Sequence, residues 1–219
     1  MAEPGTVVSI NVVHALVVDP VGTIGRTAID KRPAPGPVAV DAFGVHGDTV
    51  LDRQHHGGPD KAVYAYASED LDFWAAELGR LITPGMFGEN LTTRGLDVTG
   101  AVVGERWRIG DDVTVEVAMP RMPCTTFQAW MAEPHWVKRF TLQGAPGAYL
   151  RVLDGGPVEA GQPITVVHRP AHGVTIGEAF AGRATDPDRL RLLLEQPELA
   201  DDLAAALRKT LGIDSIVRR

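Results

Sequence analysis

The chain of 219 residues has an ordinary composition, with 44% hydrophobic and 22% charged residues, and a formal net charge of −7. Its length suits one domain, or one domain with a small appendix. The acidic balance disfavours a nucleic-acid-binding surface. The sequence shows no signal segment, no bilayer-spanning apolar run and only one cysteine, as is typical of a reducing compartment. We therefore expect a cytoplasmic protein that binds neither nucleic acid nor membrane.

Strands dominate the first two thirds of the predicted elements. Short β-branched or alternating segments, bounded by Pro and Gly, predict strands at 5–12, 17–18, 27–32, 38–43 and 62–66. Apolar residues at helical spacing predict the first helix at 68–78, with Gly79 at its end. Further strands are predicted at 98–109, 113–118, 149–153 and 164–168, and a helix at 130–142, where Pro134 marks a start or a break.

The character of the sequence changes after Pro170. Three short helices are predicted at 175–181, 187–195 and 197–211. The 24 glycines and 16 prolines imply many tight turns, which suit a barrel or a sandwich of short strands. The sequence thus predicts a mainly β protein with α, divided into a β domain at 1–170 and a small all-α C-terminal extension at 171–219.

The first candidate site segment surrounds a pair of glycines. His56 precedes Gly57 and Gly58, and Lys61 follows. Backbone N–H groups, a lysine and an imidazole together can hold a phosphate group. No further zinc-ligand spacing accompanies His55 and His56, which disfavours zinc. By itself, the segment is equally well interpreted as a surface hairpin.

Two other segments pair polar residues with glycine or with apolar strand positions. Glu89 and Asn90 follow Gly88, either as a ligand-facing loop or as a loop before a strand, and the local sequence favours the second interpretation. Tyr149 and Arg151 fall on one face of a predicted strand. An arginine there suits a pocket that receives an anion, although strand arginines usually face solvent.

The single cysteine, Cys124, lies in a segment stiffened by two prolines, with Arg121 three residues before it. A neighbouring arginine favours the thiolate, which is the form that binds metal. Taken locally, a buried small hydrophobic residue is the slightly better interpretation. Signatures of serine hydrolases, zinc hydrolases, P-loop proteins and Rossmann dehydrogenases do not occur.

The order of these segments resembles the MOSC domain family, whose name refers to the C-terminal domain of molybdenum cofactor sulfurase. The resemblance rests on six segments in sequence, at 27–31, 47–48, 56–64, 87–91, 120–124 and 147–153. It is closest to the stand-alone bacterial type with a three-helix C-terminal extension. It implies a MOSC-type β-barrel and a molybdenum cofactor of the molybdopterin type, with Cys124 as the molybdenum ligand.

The resemblance also implies an activity. Stand-alone bacterial members are similar to reductases of N-hydroxylated bases such as 6-hydroxylaminopurine, which yield the amine and water. On this reading a cofactor-binding set is expected at His56, Gly57, Gly58, Lys61, Asn90, Arg121 and Arg151. Asn90 would contact the pterin or the metal centre, and Glu89 would orient Asn90 or relay a proton, which makes both catalytic candidates beside Cys124.

Electrons would have to come from a separate redox protein, because one cysteine cannot hold an iron–sulfur cluster. Two other functions stay open at this point: sulfur transfer through a persulfide on Cys124, and cofactor carriage without turnover. The sequence leaves the oligomeric state open as well.

Overall fold

The computed structural model describes residues 4–52, 57–181 and 186–213. Within these ranges the strands are β1 Gly5–Val18, β2 Arg26–Pro33, β3 Val38–Asp41, β4 Gly44–Val45, β5 Val63–Ala67, β6 Leu91–Arg94, β7 Arg106–Ile109, β8 Val113–Pro120, β9 Ala148–Asp154, β10 Gly156–Val158 and β11 Pro163–His168. The helices are α1 Ser68–Leu78, α2 Thr125–Met131, α3 Trp136–Gln143, α4 Ile176–Ala181, α5 Pro187–Leu194 and α6 Asp201–Thr210. A 3-10 turn spans Pro59–Lys61.

Seven strands form a closed barrel in the order β11-β7-β8-β9-β5-β6-β1. The barrel closes because the start of β1 pairs with β11, with Gly5 opposite Ile164. β5 and β6 run parallel, whereas the other neighbouring strands of the barrel are antiparallel. The barrel and the helices that follow it confirm the predicted fold class.

β1 is one strand of 14 residues where the sequence predicted two short ones. Its first half belongs to the barrel, and its second half leaves the barrel to pair with β2. Register shifts at Val7/Ser9, Val13/Ala15 and Ala15/Val17 mark bulges in this strand. Because bulges bend a strand and increase its twist, β1 can turn outward and carry β2 away from the barrel wall.

Two other predicted elements are wrong in extent. The strand predicted at 98–109 contains only β7, since Gly104 has a φ of 84° and turns the chain just before it. The helix predicted at 130–142 is interrupted: α2 ends at Ala132 with a φ of 54°, and α3 begins after His135 with a φ of 57°. Pro134 lies in this break, where a proline ring and its missing N–H disfavour a continuous helix.

The C-terminal helices share the core of the barrel. Ile176, Phe180, Leu193 and Leu207 are buried in the same hydrophobic cluster as the barrel residue Val117. The division into domains at residue 170 remains a prediction. No helix within the described ranges is long and apolar enough to cross a membrane.

An aromatic cluster packs between the barrel and the first three helices. Its members are fully or almost fully buried: Trp74, Phe87, Phe127, Trp136 and Phe140. The ring centroids of Trp74 and Trp136 are 4.5 Å apart, and those of Phe127 and Phe140 are 5.3 Å apart. Such large buried rings contribute strongly to core stability, so this cluster provides a rigid support for the segment that carries Cys124.

Candidate functional site

A cavity of about 740 Å³ opens against the β1–β2 loop and β2. Its volume lies in the range of small-molecule and cofactor sites. Functional side chains and glycines from six parts of the chain line it: Asp19, Lys31, Phe43, Asp48, Gly57, Gly58, Lys61, Tyr64, Asn90, Arg121, Cys124, Thr126 and Tyr149. The barrel thus brings together residues that are far apart in sequence.

Cys124 lies directly before α2, is partly buried and is not in a disulfide. Two residues later, the Thr126 hydroxyl donates to the Asp19 carboxylate over 2.6 Å, which ties the start of α2 to the β1–β2 loop. Burial raises the pKa of Asp19, but hydrogen bonds from Thr126 and from the N–H groups of Val21 and Gly22 outweigh burial and lower the pKa below its usual value. The thiol segment is therefore anchored to the β1–β2 loop.

Arg121 supplies a buried cation at the same cavity. Only 4% of the residue is exposed, and its guanidinium carbon lies 4.0 Å from the centre of the Phe127 ring. Its Nη1 atom is buried without a hydrogen-bond partner among the described residues. A buried donor without a partner costs free energy, so this nitrogen is suited to meet an acceptor on a ligand.

Tyr64 and Tyr149 form part of the wall around this cation. Burial raises the pKa of both phenols, and the nearby Arg121 charge opposes the increase. The Tyr64 hydroxyl donates to the Pro146 carbonyl over 2.9 Å. Both phenols therefore stay protonated at neutral pH.

Asn90 reaches the cavity through a network that also contains Asp48. Its Nδ2 donates to Asp48 Oδ2 over 2.8 Å and to the Asn11 carbonyl over 3.2 Å, while its Oδ1 accepts from the Tyr64 N–H. Asp48 in turn forms a short ion pair with Lys31, and these two side chains are only 7% and 9% exposed. Asn90 thus fixes the position of a carboxylate that pairs with a buried ammonium.

Glu89 lies outside the described cavity lining and is completely buried. Its carboxyl oxygens accept from the N–H groups of Gly85 and Phe87 and from the Thr92 hydroxyl, at 2.6, 3.0 and 3.0 Å. Burial raises its pKa to about 7, although these hydrogen bonds act in the opposite direction. Glu89 therefore organises the loop before β6.

Gly85 explains why this loop can pack so closely on β2. Its φ is 87°, and a Cβ atom there would collide with the Lys31 carbonyl. A glycine is thus required both for the backbone conformation and for the close approach.

The glycine segment contributes Gly57, Gly58 and Lys61 to the lining. Gly58 has a φ of 101°, a conformation in which other residues are strained. Lys61 Nζ donates to Asp202 at the start of α6 over 2.6 Å, so this predicted anion ligand is also linked to a C-terminal helix. His56 lies outside the described residues.

Arg151 lies outside the described lining of the cavity. Its guanidinium donates to Asp60 at 2.5 and 2.8 Å, to Glu116 at 2.7 Å and to the Glu198 carbonyl at 2.8 Å. This network joins β9, the 3-10 turn and the segment before α6. The arginine predicted to support an anion site thus links the barrel to the C-terminal helices.

The structure therefore brings most of the sequence-predicted site residues to one cavity, namely Cys124, Asn90, Gly57, Gly58, Lys61 and Arg121. Sequence reasoning assigned no role to Lys31, Asp48, Asp19 or Thr126. The 27–31 and 47–48 segments contributed to the family resemblance, but no spacing rule connects residues that meet only through the tertiary fold.

Comparison with known proteins gives the chain a family. The profile of the MOSC domain matches residues 52–165. The uncharacterized protein YflK of Bacillus subtilis strain 168 is 32% identical over 212 residues, which cover 94% of this chain and 95% of that protein. A Gibberella moniliformis protein named "Reductase" is 35% identical over 147 residues, which cover 66% of this chain but only 26% of that longer protein.

A solved structure agrees with this result. The crystal structure of YiiM from Geobacillus stearothermophilus superposes with a TM-score of 0.76 at 30% identity, covering 95% of this chain and all of that one. Half of the chain matches the family profile, and the full-length relative matches nearly from end to end. The chain therefore belongs to the MOSC domain family.

Proposed function

We propose that this protein is a molybdenum-cofactor-dependent reductase that converts N-hydroxylated compounds, such as 6-hydroxylaminopurine, to the amine and water. The observation that carries the proposal is the pairing, in one cavity, of the partly buried thiol of Cys124 with a buried arginine whose Nη1 has no partner among the described residues. A soft thiolate and an unpaired cationic donor fit a molybdenum centre on an anionic organic cofactor.

The residues of the cavity suit such a cofactor. Cys124 would ligate the metal, and Arg121 Nη1 would meet an acceptor of the pterin or its phosphate. Gly57 and Gly58 would bring backbone N–H groups to the same anion, with Lys61 beside them. When bound, the cofactor would supply the two-electron redox chemistry.

The protein's own residues would orient and enclose the substrate. The side-chain amide of Asn90 forms hydrogen bonds with Asp48, with the Asn11 carbonyl and with the Tyr64 N–H. We therefore infer that Asn90 acts by positioning Asp48. Glu89, which is buried outside the described cavity lining, would act by holding the loop that positions Asn90. The electrons would come from a separate redox protein, because the chain's single cysteine cannot hold an iron–sulfur cluster.

The name of the Gibberella relative favours a reductase over the other two functions. Sulfur transfer would use the same thiol as a persulfide carrier. Cofactor carriage would use the same binding residues without turnover. Both alternatives also require Cys124 in the cavity, so only chemical assays can distinguish the three functions.

The test is metal, pterin and activity analysis of Cys124→Ser, with Thr125→Ser as a matched control at the neighbouring exposed position. The proteins are made in a host that synthesises the cofactor and are assayed with 6-hydroxylaminopurine and an artificial electron donor. We expect stoichiometric molybdenum and pterin, and reduction of the substrate, in the wild type and in Thr125→Ser. Both should be lost in Cys124→Ser.

Wild-type protein without molybdenum would contradict the proposal, as would a Cys124→Ser variant that keeps both metal and activity. A cyanide-labile sulfur on Cys124 would favour sulfur transfer. Bound molybdenum without any reduction would favour carriage.

A further inference from the structure

A buried ion pair on the cavity wall is not used by the proposed cofactor contacts. Lys31 on β2 and Asp48 after β4 both line the cavity, yet their side chains are almost fully buried. A buried ion pair is weak evidence for stability, because removing both charges from water costs about as much as their attraction returns. Such a pair in a cavity is a candidate for chemistry.

Asp48 is held so that it points at the lysine. Its Oδ1 accepts from the Val13 N–H over 3.0 Å, and its Oδ2 accepts from Asn90 over 2.8 Å and pairs with Lys31. An ammonium group has three N–H bonds to donate. Within the described parts of the chain, Asp48 is the hydrogen-bond acceptor that the structure gives to Lys31 Nζ, so the ammonium can also donate to a ligand in the cavity.

The environment of Lys31 makes its ammonium a stronger acid than usual. Burial lowers the pKa of Lys31, while the charge and hydrogen bond of Asp48, and the more distant Glu89, oppose the change without cancelling it. A general acid works best when its pKa lies nearer to the working pH. The lowered pKa makes Lys31 better suited to donate a proton than a solvent-exposed lysine.

Several other charged or phenolic groups at the cavity are poorer proton donors. Arginines, here Arg26 and Arg121, stay protonated in proteins. Asp19 has its pKa lowered and is therefore ionised, and the pKa of Tyr64 is raised well above the usual value.

We propose that Lys31 is the catalytic proton donor to the departing oxygen of the N-hydroxyl group, with Asp48 as its positioning residue. This inference rests on the proposed function. The N–O bond breaks, and the substrate takes up two electrons, which the molybdenum cofactor would supply when bound. One proton passes from Lys31 Nζ to the hydroxyl oxygen, which leaves as water, and a second proton from solvent reaches the nitrogen. Lys31 is left as a neutral amine and takes up a proton again from solvent.

The test uses Lys31→Met and Lys31→Arg, with Lys138→Met as a control at an exposed helix position. Each cofactor-loaded variant is assayed on 6-hydroxylaminopurine and on its O-acetyl ester. Loss of a general acid typically costs about 100-fold or more in rate. We expect such a fall in kcat on the N-hydroxyl substrate for both Lys31 variants. The ester should keep its rate, since acetate leaves without a proton.

Equal losses on both substrates would overturn the inference in favour of a structural role, as would a full rate on the N-hydroxyl substrate in Lys31→Met. Molybdenum content and circular dichroism show whether each variant folds and loads. Lys31→Arg keeps the positive charge, so it provides a second measurement of the fall in kcat if Lys31→Met fails to fold. A wild type that reduces neither substrate would overturn the proposed function itself.

A second measurement needs no activity. The full chain without cofactor has four lysines, whose acylation at neutral pH can be followed by mass spectrometry. Removing the Asp48 charge should lower the pKa of Lys31 further and raise the fraction of neutral, reactive amine. We expect Asp48→Asn to speed acylation of Lys31 relative to Lys138. An unchanged ratio would contradict the pairing on which the inference depends.

Discussion

Two charged networks in this protein contain the same kinds of residues. They differ in how many of their hydrogen-bond donors have a partner among the described residues. Around Arg151, the guanidinium donates four hydrogen bonds to Asp60, Glu116 and the Glu198 carbonyl. Around the cavity, Arg121 leaves Nη1 without a partner among the described residues, and Lys31 meets one carboxylate. Within the described parts of the chain, the Arg151 guanidinium is matched by carboxylate and carbonyl acceptors, whereas Arg121 Nη1 has no partner. We infer that the number of unpaired donors separates a structural arginine from a binding one.

The strongest test of this comparison is Arg151→Met. Removing Arg151 takes a cation away from Asp60 and leaves Glu116 with Arg106 as its partner, and such a loss in a mostly buried ion network costs about 3 kcal/mol in the free energy of unfolding. Urea denaturation measures this loss, with the exposed strand residue Arg108→Met as the control, which should change stability little. Unchanged cofactor content per folded molecule is expected. A stable variant that fails to bind cofactor would place Arg151 in the binding network and break the comparison.

The pH dependence of the free energy of unfolding tests the buried environment of Glu89. Its folded pKa of about 7 lies above the usual value of 4.5, so the folded state holds a proton that the unfolded state releases. The stability that this group contributes is full below about pH 4.5 and is lost as the pH rises through about 7. Between pH 5 and pH 7.5 we expect the wild type to lose about 2 kcal/mol relative to Glu89→Gln.

Chemical denaturation of both proteins at several pH values measures this difference, and comparing slopes cancels the titration of the remaining groups. Parallel curves for the wild type and Glu89→Gln would show that Glu89 is ionised in the fold. A relay of protons through Glu89 would then have no support from its environment.

The smallest expected effect concerns Arg121→Met. The variant removes the guanidinium that lies 4.0 Å from the centre of the Phe127 ring, and losing a cation–π contact of this kind should cost about 1 kcal/mol in the free energy of unfolding. A charge-assisted hydrogen bond to the cofactor contributes about 1.5 kcal/mol, so cofactor affinity should fall about tenfold. Dilution or dialysis followed by molybdenum analysis measures the loss. A large destabilisation with unchanged cofactor retention would make Arg121 a structural residue like Arg151.

Much of the fold could be predicted locally. The periodicity of 68–78 and of the three C-terminal segments gave helices that the structure contains, and the β-branched segments gave most of the barrel strands. β6 was missed because Leu91–Arg94 has four residues, too few for a clear alternation. The break between α2 and α3 depends on backbone conformations at Ala132 and His135 that a helical apolar pattern conceals.

The sequence by itself determined which chemical groups are available: one thiol, a pair of glycines before a lysine, and an arginine close to the thiol. It determined the family as well, through the order of these segments. Only the tertiary structure decided which groups share the cavity, because a closed barrel brings β2, the segment after β4 and the start of α2 together across large sequence separations. That closure placed Lys31 and Asp48 inside the site and Arg151 outside its described lining, since burial and the count of hydrogen-bond partners are properties of the fold.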